Sequence, residues 1–315
     1  MCECIRVNKL GKFKTEILHR QRGFSMVELI IAMALGLFLM SALIQILLSG
    51  KQAYSSVNYL SRIQENGRIA TSMLAGDLKR AGYMGGNSDI PNIFGSAGQT
   101  AAAISCATGD TSWGRMVTQR VVGLNDTNAG YACITNASYL RGDILTVRYA
   151  SPWISGAPLA AGQMYLRSSL FEGKIFTGAD QALGANLVLD QPQSVHDLIA
   201  HSYYVGNSGR TCSGLPVPSL FRVRLNINGQ PLVEELLPGV EHLQVQYGVG
   251  GQYINADAVA DWSQVVTARF WLLIRSECPE TGYTDASTYT LGDINYITND
   301  SFRRQLYSSV VMLRN

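Results

Sequence analysis

The chain has 315 residues, 47% of them hydrophobic and only 15% charged, with 31 Gly and 6 Cys. This composition excludes a disordered or collagen-like chain and allows one large domain or two modest ones. The 25 Lys and Arg against 23 Asp and Glu give a formal charge of +2, too near neutral for a protein that grips nucleic acid by neutralising phosphates, and no direct nucleic-acid binding is expected. What positive charge there is lies at the N-terminus: Arg6, Lys9, Lys12, Lys14, Arg20 and Arg22 face only Glu3 and Glu16 within residues 1–23.

Residues 29–48, LIIAMALGLFLMSALIQILL, follow without a charge or a Pro. As a helix this run is about 30 Å long, the thickness of a bilayer's hydrocarbon core. Twelve of its 20 residues are Leu, Ile or Phe, which together favour insertion by about 5 kcal/mol. The basic leader predicts a single-pass chain with its N-terminus in the cytoplasm and its bulk on the far side of the inner membrane. After the run stands Ser49-Gly50-Lys51-Gln52, which lacks the small-residue pattern of a secretory cleavage site, so the apolar helix is expected to stay with the protein.

The segment RGFSMVELIIAMALG, residues 22–36, places Gly23 before Phe24 and one carboxylate, Glu28, at the mouth of the apolar run. It resembles the class III signal of type IV prepilins and of the pseudopilins of type II secretion. The resemblance implies cleavage between Gly23 and Phe24 by the membrane prepilin peptidase, and N-methylation of the new terminal Phe24. Glu28 itself is costly near a bilayer interior unless paired, by several kcal/mol. The resemblance supplies the partner, the α-amino group of Phe24 on the same or an adjacent subunit, a pairing that would fix the axial register of packed helices. A carboxylate that merely snorkels at a helix start is the plainer alternative.

From Ser49 to Ala81 there is no Pro, and Val57, Leu60, Gln64, Gly67, Ala70, Leu74, Leu78 and Ala81 recur every three or four residues. The period predicts a helix that continues as an amphipathic second half. Gly36, Gly50, Gly67 and Gly76 predict local bends. The stretch QENGRIATSMLAGDLKRAGYMGG, residues 64–86, resembles the signature of PilW-type minor pilins at Asn66, Arg68, Asp77, Leu78, Arg80, Ala81, Gly82 and Tyr83. Where many relatives have Gly-Cys, this chain has Gly85-Gly86.

Gly, Ala, Ser and Thr then dominate through about residue 135, which reads as loop-rich surface. Alternating segments at 143–150, 163–170, 201–206, 220–227, 240–249, 265–276 and 304–313 predict antiparallel strands, with Asn228-Gly229 and Pro238-Gly239 as turns. LPGVEHLQVQYGV, ARFWLLIRS and SFRRQLYSSVVMLRN resemble PilW-type minor pilins in the same order. The expected fold class is α+β and pilin-like, a long N-terminal helix packed on an antiparallel β-sheet head. The expected divisions are a cleaved leader (1–23), a transmembrane and filament-core half-helix (24–50), an amphipathic half-helix (51–83), a loop-rich and β region that could be an insertion (84–215) and a C-terminal sheet region (216–315).

Cys2 and Cys4 would leave with the leader, and Cys106, Cys133, Cys212 and Cys278 remain. Three disulfide connectivities are open to four cysteines. Cys106–Cys133 with Cys212–Cys278 is the expected one, because the first pair shares a loop-rich segment and the second brackets the C-terminal sheet. No C-x₂-C spacing supports a metal site. The motifs of common hydrolases and nucleotide-binding enzymes are absent, and no cofactor is expected. His196-Asp197 and His201 read as polar surface rather than as a catalytic dyad, and Asp293, Asn295 and Asp300 as a polar turn rather than a calcium loop.

The resemblance implies a structural protein, a minor pilin that primes type IV pilus assembly in a tip complex. The implied partners are the prepilin peptidase, other minor pilins, the major pilin, the inner-membrane assembly platform and a large tip adhesin, with a final place at the pilus tip on the cell surface. Adhesion, twitching motility and DNA uptake are the functions such pili serve. A minor pseudopilin of a type II secretion system is the nearest alternative. A signal-anchored periplasmic enzyme or binding protein is the alternative of another class.

Overall fold

The computed structural model describes residues 23–87, 89–97, 111–132, 134–135, 137–181 and 192–313. The leader up to residue 22, Cys106 and Cys133 lie outside the described residues. Helix α1 (Met26–Arg80) is continuous through all four glycines at which bends are expected. The chain divides into two units between Ala53 and Tyr54, within this helix.

In the first unit every apolar side chain from Phe24 to Leu48 is at least partly exposed, with Phe38 and Leu47 more than 70% so. A surface this apolar all round has no place in water and suits lipid or other helices.

The second unit carries the rest of α1 and a β-rich head. Its larger sheet contains β1 (Ile93–Phe94), β2 (Val121–Leu124), β3 (Tyr139–Ile154), β4 (Met164–Ser168), β5 (Gly173–Thr177), β6 (Ser194–Cys212), β7 (Leu215–Leu225) and β8 (Pro231–Pro238). The strand order is β1-β5-β4-β6-β3-β2, with β7 on β6 and β8 on β7. The long β6 organises it: β3 lines one edge, while β4 and β7 share the other, pairing with its first and second halves. All pairs are antiparallel except the short β1–β5 contact. The smaller sheet runs β10 (Gln252–Ile254), β9 (Val240–Val249), β11 (Thr267–Arg275), β14 (Arg304–Met312), and β12 (Thr288–Leu291) pairs with β13 (Ile294–Ile297) in a separate hairpin. A single helical turn, α2 (Ser112–Arg115), precedes β2.

The main core lies where α1 meets both sheets. Ile63, Ala70, Leu74 and Leu78 from the helix join Leu145, Val147 and Tyr149 of β3, Tyr203 and Val205 of β6, and Leu243, Val245, Phe270 and Leu272 of the smaller sheet. The period-two alternation of strands sends Ile144, Ala200 and Tyr204 to the opposite face, where Trp113, Met116 and Tyr131 cover them. Each buried Leu or Ile contributes about 1.5–3 kcal/mol.

Two expectations need correction. The buried stripe of α1 starts at Ile63, whereas Val57 and Leu60 are exposed and Gln64 points outward, away from the face that carries Ile63, Gly67 and Ala70. The division at residue 216 is no boundary in the sheet, since β6 and β7 on either side of it pair from His201–Arg224 to Cys212–Leu215. The loop-rich stretch through about residue 135 holds the short elements β1, α2 and β2. Both expected turns are present, and Gly229 between β7 and β8 adopts φ +69°, a left-handed conformation that glycine takes at no steric cost.

Candidate functional site

At the expected processing point, Gly23, Phe24 and Ser25 precede α1 and are exposed, Phe24 by 82%. The Leu29 N–H donates to the Ser25 carbonyl at 3.1 Å, so the helical turn closes around residues 25–29. Glu28 lies in this first turn, where a carboxylate complements the positive end of the helix dipole. Beyond it the helix presents the uncharged run 29–48, long and apolar enough to cross a membrane.

At the other end of α1, the helix is fastened to the head by polar contacts set into the apolar core. Asp77 is 5% exposed. Its Oδ1 accepts from the Tyr149 hydroxyl of β3 at 2.7 Å, and its Oδ2 from the Tyr203 hydroxyl and His201 Nδ1 of β6, each at 2.5 Å. Burial pushes this carboxyl up, but the His201, Tyr203 and Tyr149 donors together hold it below the ordinary carboxylate range. The same burial, with the Asp77 charge beside them, raises both tyrosines. After the helix, the Gly82 N–H donates to the Arg148 carbonyl and the Ala150 N–H to the Tyr83 carbonyl, so the chain leaving α1 is bound to β3.

Two further contacts lie higher on the helix. Asn66 Nδ2 donates to the Pro238 carbonyl at 3.0 Å. Gly67 meets the ring of Tyr307 on β14 so closely that a Cβ there would stand 2.2 Å from the ring. The Tyr307 hydroxyl reaches on to the Ile63 carbonyl at 3.3 Å. Much of the signature in residues 64–86 thus serves this attachment: Asn66, Asp77, Leu78, Ala81 and Gly82 face the head, while Arg68 makes an exposed pair with Glu65.

The histidines are not the polar surface expected of them. His201 bonds to Asp77, and His196 is 3% exposed, with Nε2 2.7 Å from Ser194 Oγ and Nδ1 2.8 Å from the Ser151 carbonyl. Asp197 points elsewhere and accepts from Ser155 Oγ at 2.6 Å. Asp293, Asn295 and Asp300 do not converge: Asn295 accepts from Thr290 and Asp300 pairs with Arg304. Cys212 and Cys278 form a disulfide with Cα atoms 5.2 Å apart, joining the end of β6 to the segment after β11. Sequence reasoning missed Tyr149, Tyr203 and Tyr307. For Tyr149 and Tyr203 the signal was Asp77, a carboxylate on the buried face of α1, and for Tyr307 it was Gly67 on the same face.

Residues 202–315 match the family model described as Type IV Pilus-assembly protein W, and residues 18–44 match that of the prokaryotic N-terminal methylation motif. A type IV-like pilin from Thermus thermophilus is similar at 14% identity and a TM-score of 0.36, over 80% of this chain and 97% of that one. No curated protein matches. The matched families are structural rather than enzymatic, and the apolar helix with its signal supports membrane anchoring. The methylation motif thus lies at the start of α1 and the region similar to PilW runs from β6 through β14, and together they support a PilW-type pilin with a prepilin signal.

Proposed function

We propose that this protein is a minor pilin that primes type IV pilus assembly in a tip complex with other minor pilins. The observation that carries the reading is the pairing, in one chain, of an exposed Gly23–Phe24 bond with a helix whose apolar surface is open on all sides. The prepilin peptidase cuts after Gly23, and Phe24 becomes the methylated terminus. Until that cut Phe24 has no α-amino group, so the Glu28 pairing forms only in the processed chain. Neutralising the two charges lets the helix leave lipid for a bundle of pilin helices without an unpaired ion in its core.

In this reading residues 24–50 hold the protein in the inner membrane and later in the filament core, with the head on the periplasmic side. Residues 51–83 carry the head, whose attachment at Asp77, Asn66 and Gly67 transmits the helix register to the surface that other pilins meet. The partners are the prepilin peptidase, the major and other minor pilins, the assembly platform and a large tip adhesin. Deleting the gene and complementing it tests this. Loss of surface pili, restored by the wild-type chain but not by Glu28→Ala, with the protein recovered in sheared pili, is the expected result. A secretion defect with pili intact would place the chain among minor pseudopilins instead. Unchanged pili and secretion would overturn both readings.

A further inference from the structure

β14 (Arg304–Met312) is the last strand of the smaller sheet and pairs only with β11. At its two ends the Ser276 N–H donates to the Arg303 carbonyl and the Leu313 N–H to the Val266 carbonyl. In an antiparallel pair alternate residues turn their N–H and C=O toward the partner strand. The odd-numbered residues of β14 therefore bond to β11, and Leu306, Ser308, Val310 and Met312 present both backbone groups along the outer edge. None of these groups has a hydrogen-bond partner among the described residues.

No side chain guards this edge. Residues 305–312, QLYSSVVM, hold no charge, Pro or Gly, and Val310 and Met312 are exposed by 50% and 77%. The other edges of the two sheets are guarded: β8 carries Pro231, Glu234, Glu235 and Pro238, while β1, β2 and β10 have only two, four and three residues. Shortness, charge and proline are the usual defences of an edge, and a long uncharged strand without them is a template for another. Its complement is an extended backbone, whose own N–H and C=O groups pair with those left open.

Direction decides which chain supplies that backbone. Near the start of β14, Glu277 meets Arg62 of α1 at 3.5 Å. Near its end, the Val265 carbonyl accepts from Arg120 Nη2, the Arg120 carbonyl from the Arg148 N–H, and the Arg148 carbonyl from the Gly82 N–H just after α1. β14 thus runs the same way as the second half of α1. Two copies paired through antiparallel β14 strands, about a two-fold axis, would set their helices against each other, whereas subunits packed side by side in a filament run them together. The added strand therefore comes from a different subunit. The helix leads to its source: Val57 and Leu60 are exposed, and they continue at helical spacing the stripe of Ile63 and Gly67 that meets Tyr307 of β14. A subunit whose helix lies on Val57 and Leu60 brings its head beside this edge.

We propose that the outer edge of β14 takes an extended, uncharged segment of a different pilin subunit as an added strand. This rests on the filament reading above.

The test places the photo-crosslinking amino acid p-benzoylphenylalanine at Met312 of the full chain, in cells that assemble pili. Illumination should join the chain to another pilin, identified by mass spectrometry, and the same probe at Ile227, exposed between β7 and β8, should give at least tenfold less of that adduct. Val310→Pro removes one outward N–H, a change an edge strand tolerates, and Val310→Lys places a charge beside the edge. Each should lower the Met312 adduct at least tenfold while the melting temperature of the purified chain stays unchanged, and either variant suffices if the other does not fold. An undiminished adduct in a folded variant would overturn the added strand, as would no adduct from Met312 while the wild-type chain is present in sheared pili. An adduct with a second copy would overturn the choice of partner. Absence of the wild-type chain from sheared pili would overturn the filament reading and this proposal with it.

Discussion

Gly67 of α1 and Tyr307 of β14 share one space: the aromatic ring occupies the position that any larger residue at 67 would need for its first carbon. Gly67→Ala gains about 1 kcal/mol in helix propensity but meets ring carbons within 2.7 Å, and overpacking of this kind costs about 1–3 kcal/mol. The steric term wins, so the substitution should lower the melting temperature of the detergent-solubilised chain. Adding Tyr307→Leu, which removes the ring, should recover part of the loss. An unchanged or raised melting temperature for Gly67→Ala alone would contradict this packing.

Asp77 should make stability depend on acid. Its carboxyl is held below the ordinary value of about 3.9 because, against burial, three donors favour the charged form. A carboxyl lowered in the folded state contributes stability above its unfolded value and loses it as pH falls through the folded one. The melting temperature should therefore drop as pH falls below about 4, and Asp77→Asn should flatten that part of the profile. Asp77→Ala strands His201, Tyr149 and Tyr203, and should cost about 3–5 kcal/mol, the scale for breaking a buried ionic contact. Thermal melts of the three proteins between neutral and acid pH check this, and identical acid profiles for wild type and Asp77→Asn would count against it.

The processing signal was readable because its parts adjoin: Gly23, Phe24 and Glu28 lie within six residues and owe nothing to folding. The strands of the smaller sheet were readable for a similar reason, since Leu243, Val245 and Tyr247 of β9 alternate with Gln244, Gln246 and Gly248, and the first six residues of β11 alternate in burial. The attachment of α1 was not. The partners of Asp77 lie 72, 124 and 126 residues away, and no local pattern marks which tyrosine or histidine a buried carboxylate will find. Asp293 shows the limit from the other side. It was singled out as an oxygen donor with its sequence neighbours Asn295 and Asp300, whereas the fold brings it to Gln244, 49 residues earlier.

Arg304 should be as costly to remove as Asp77. Its guanidinium is 1% exposed and reaches Glu241 at 2.6 Å, Asp300 at 2.6 Å and Asp285 at 3.1 Å. Burial works against its charge, but Asp300 and Glu241 hold it well above the usual arginine range. Arg304→Met leaves the buried Asp285 without its cation and Glu241 with only the more distant Arg275, at about 3–5 kcal/mol. Arg304→Lys should rescue little, because an ammonium cannot present a planar fork to several carboxylates. Denaturant melts of the two variants check this, and a lysine variant as stable as wild type would contradict it.

The Cys212–Cys278 bridge joins the end of β6 to the segment after β11 across 66 residues of sequence. Closing a loop of that length is worth up to about 4.4 kcal/mol in the chain-entropy account. Replacing both cysteines by Ser should lower the melting temperature and remove its sensitivity to reductant. A wild-type melt that reductant leaves unmoved, with the bridge shown to be reduced, would contradict a stabilising role.

The mature N-terminus tests the central claim most directly. Intact and peptide mass spectrometry of the membrane protein, made with and without prepilin peptidase, should find a chain starting at methylated Phe24 only when the peptidase is present. A chain that still starts at Met1 in its presence would contradict the pilin account.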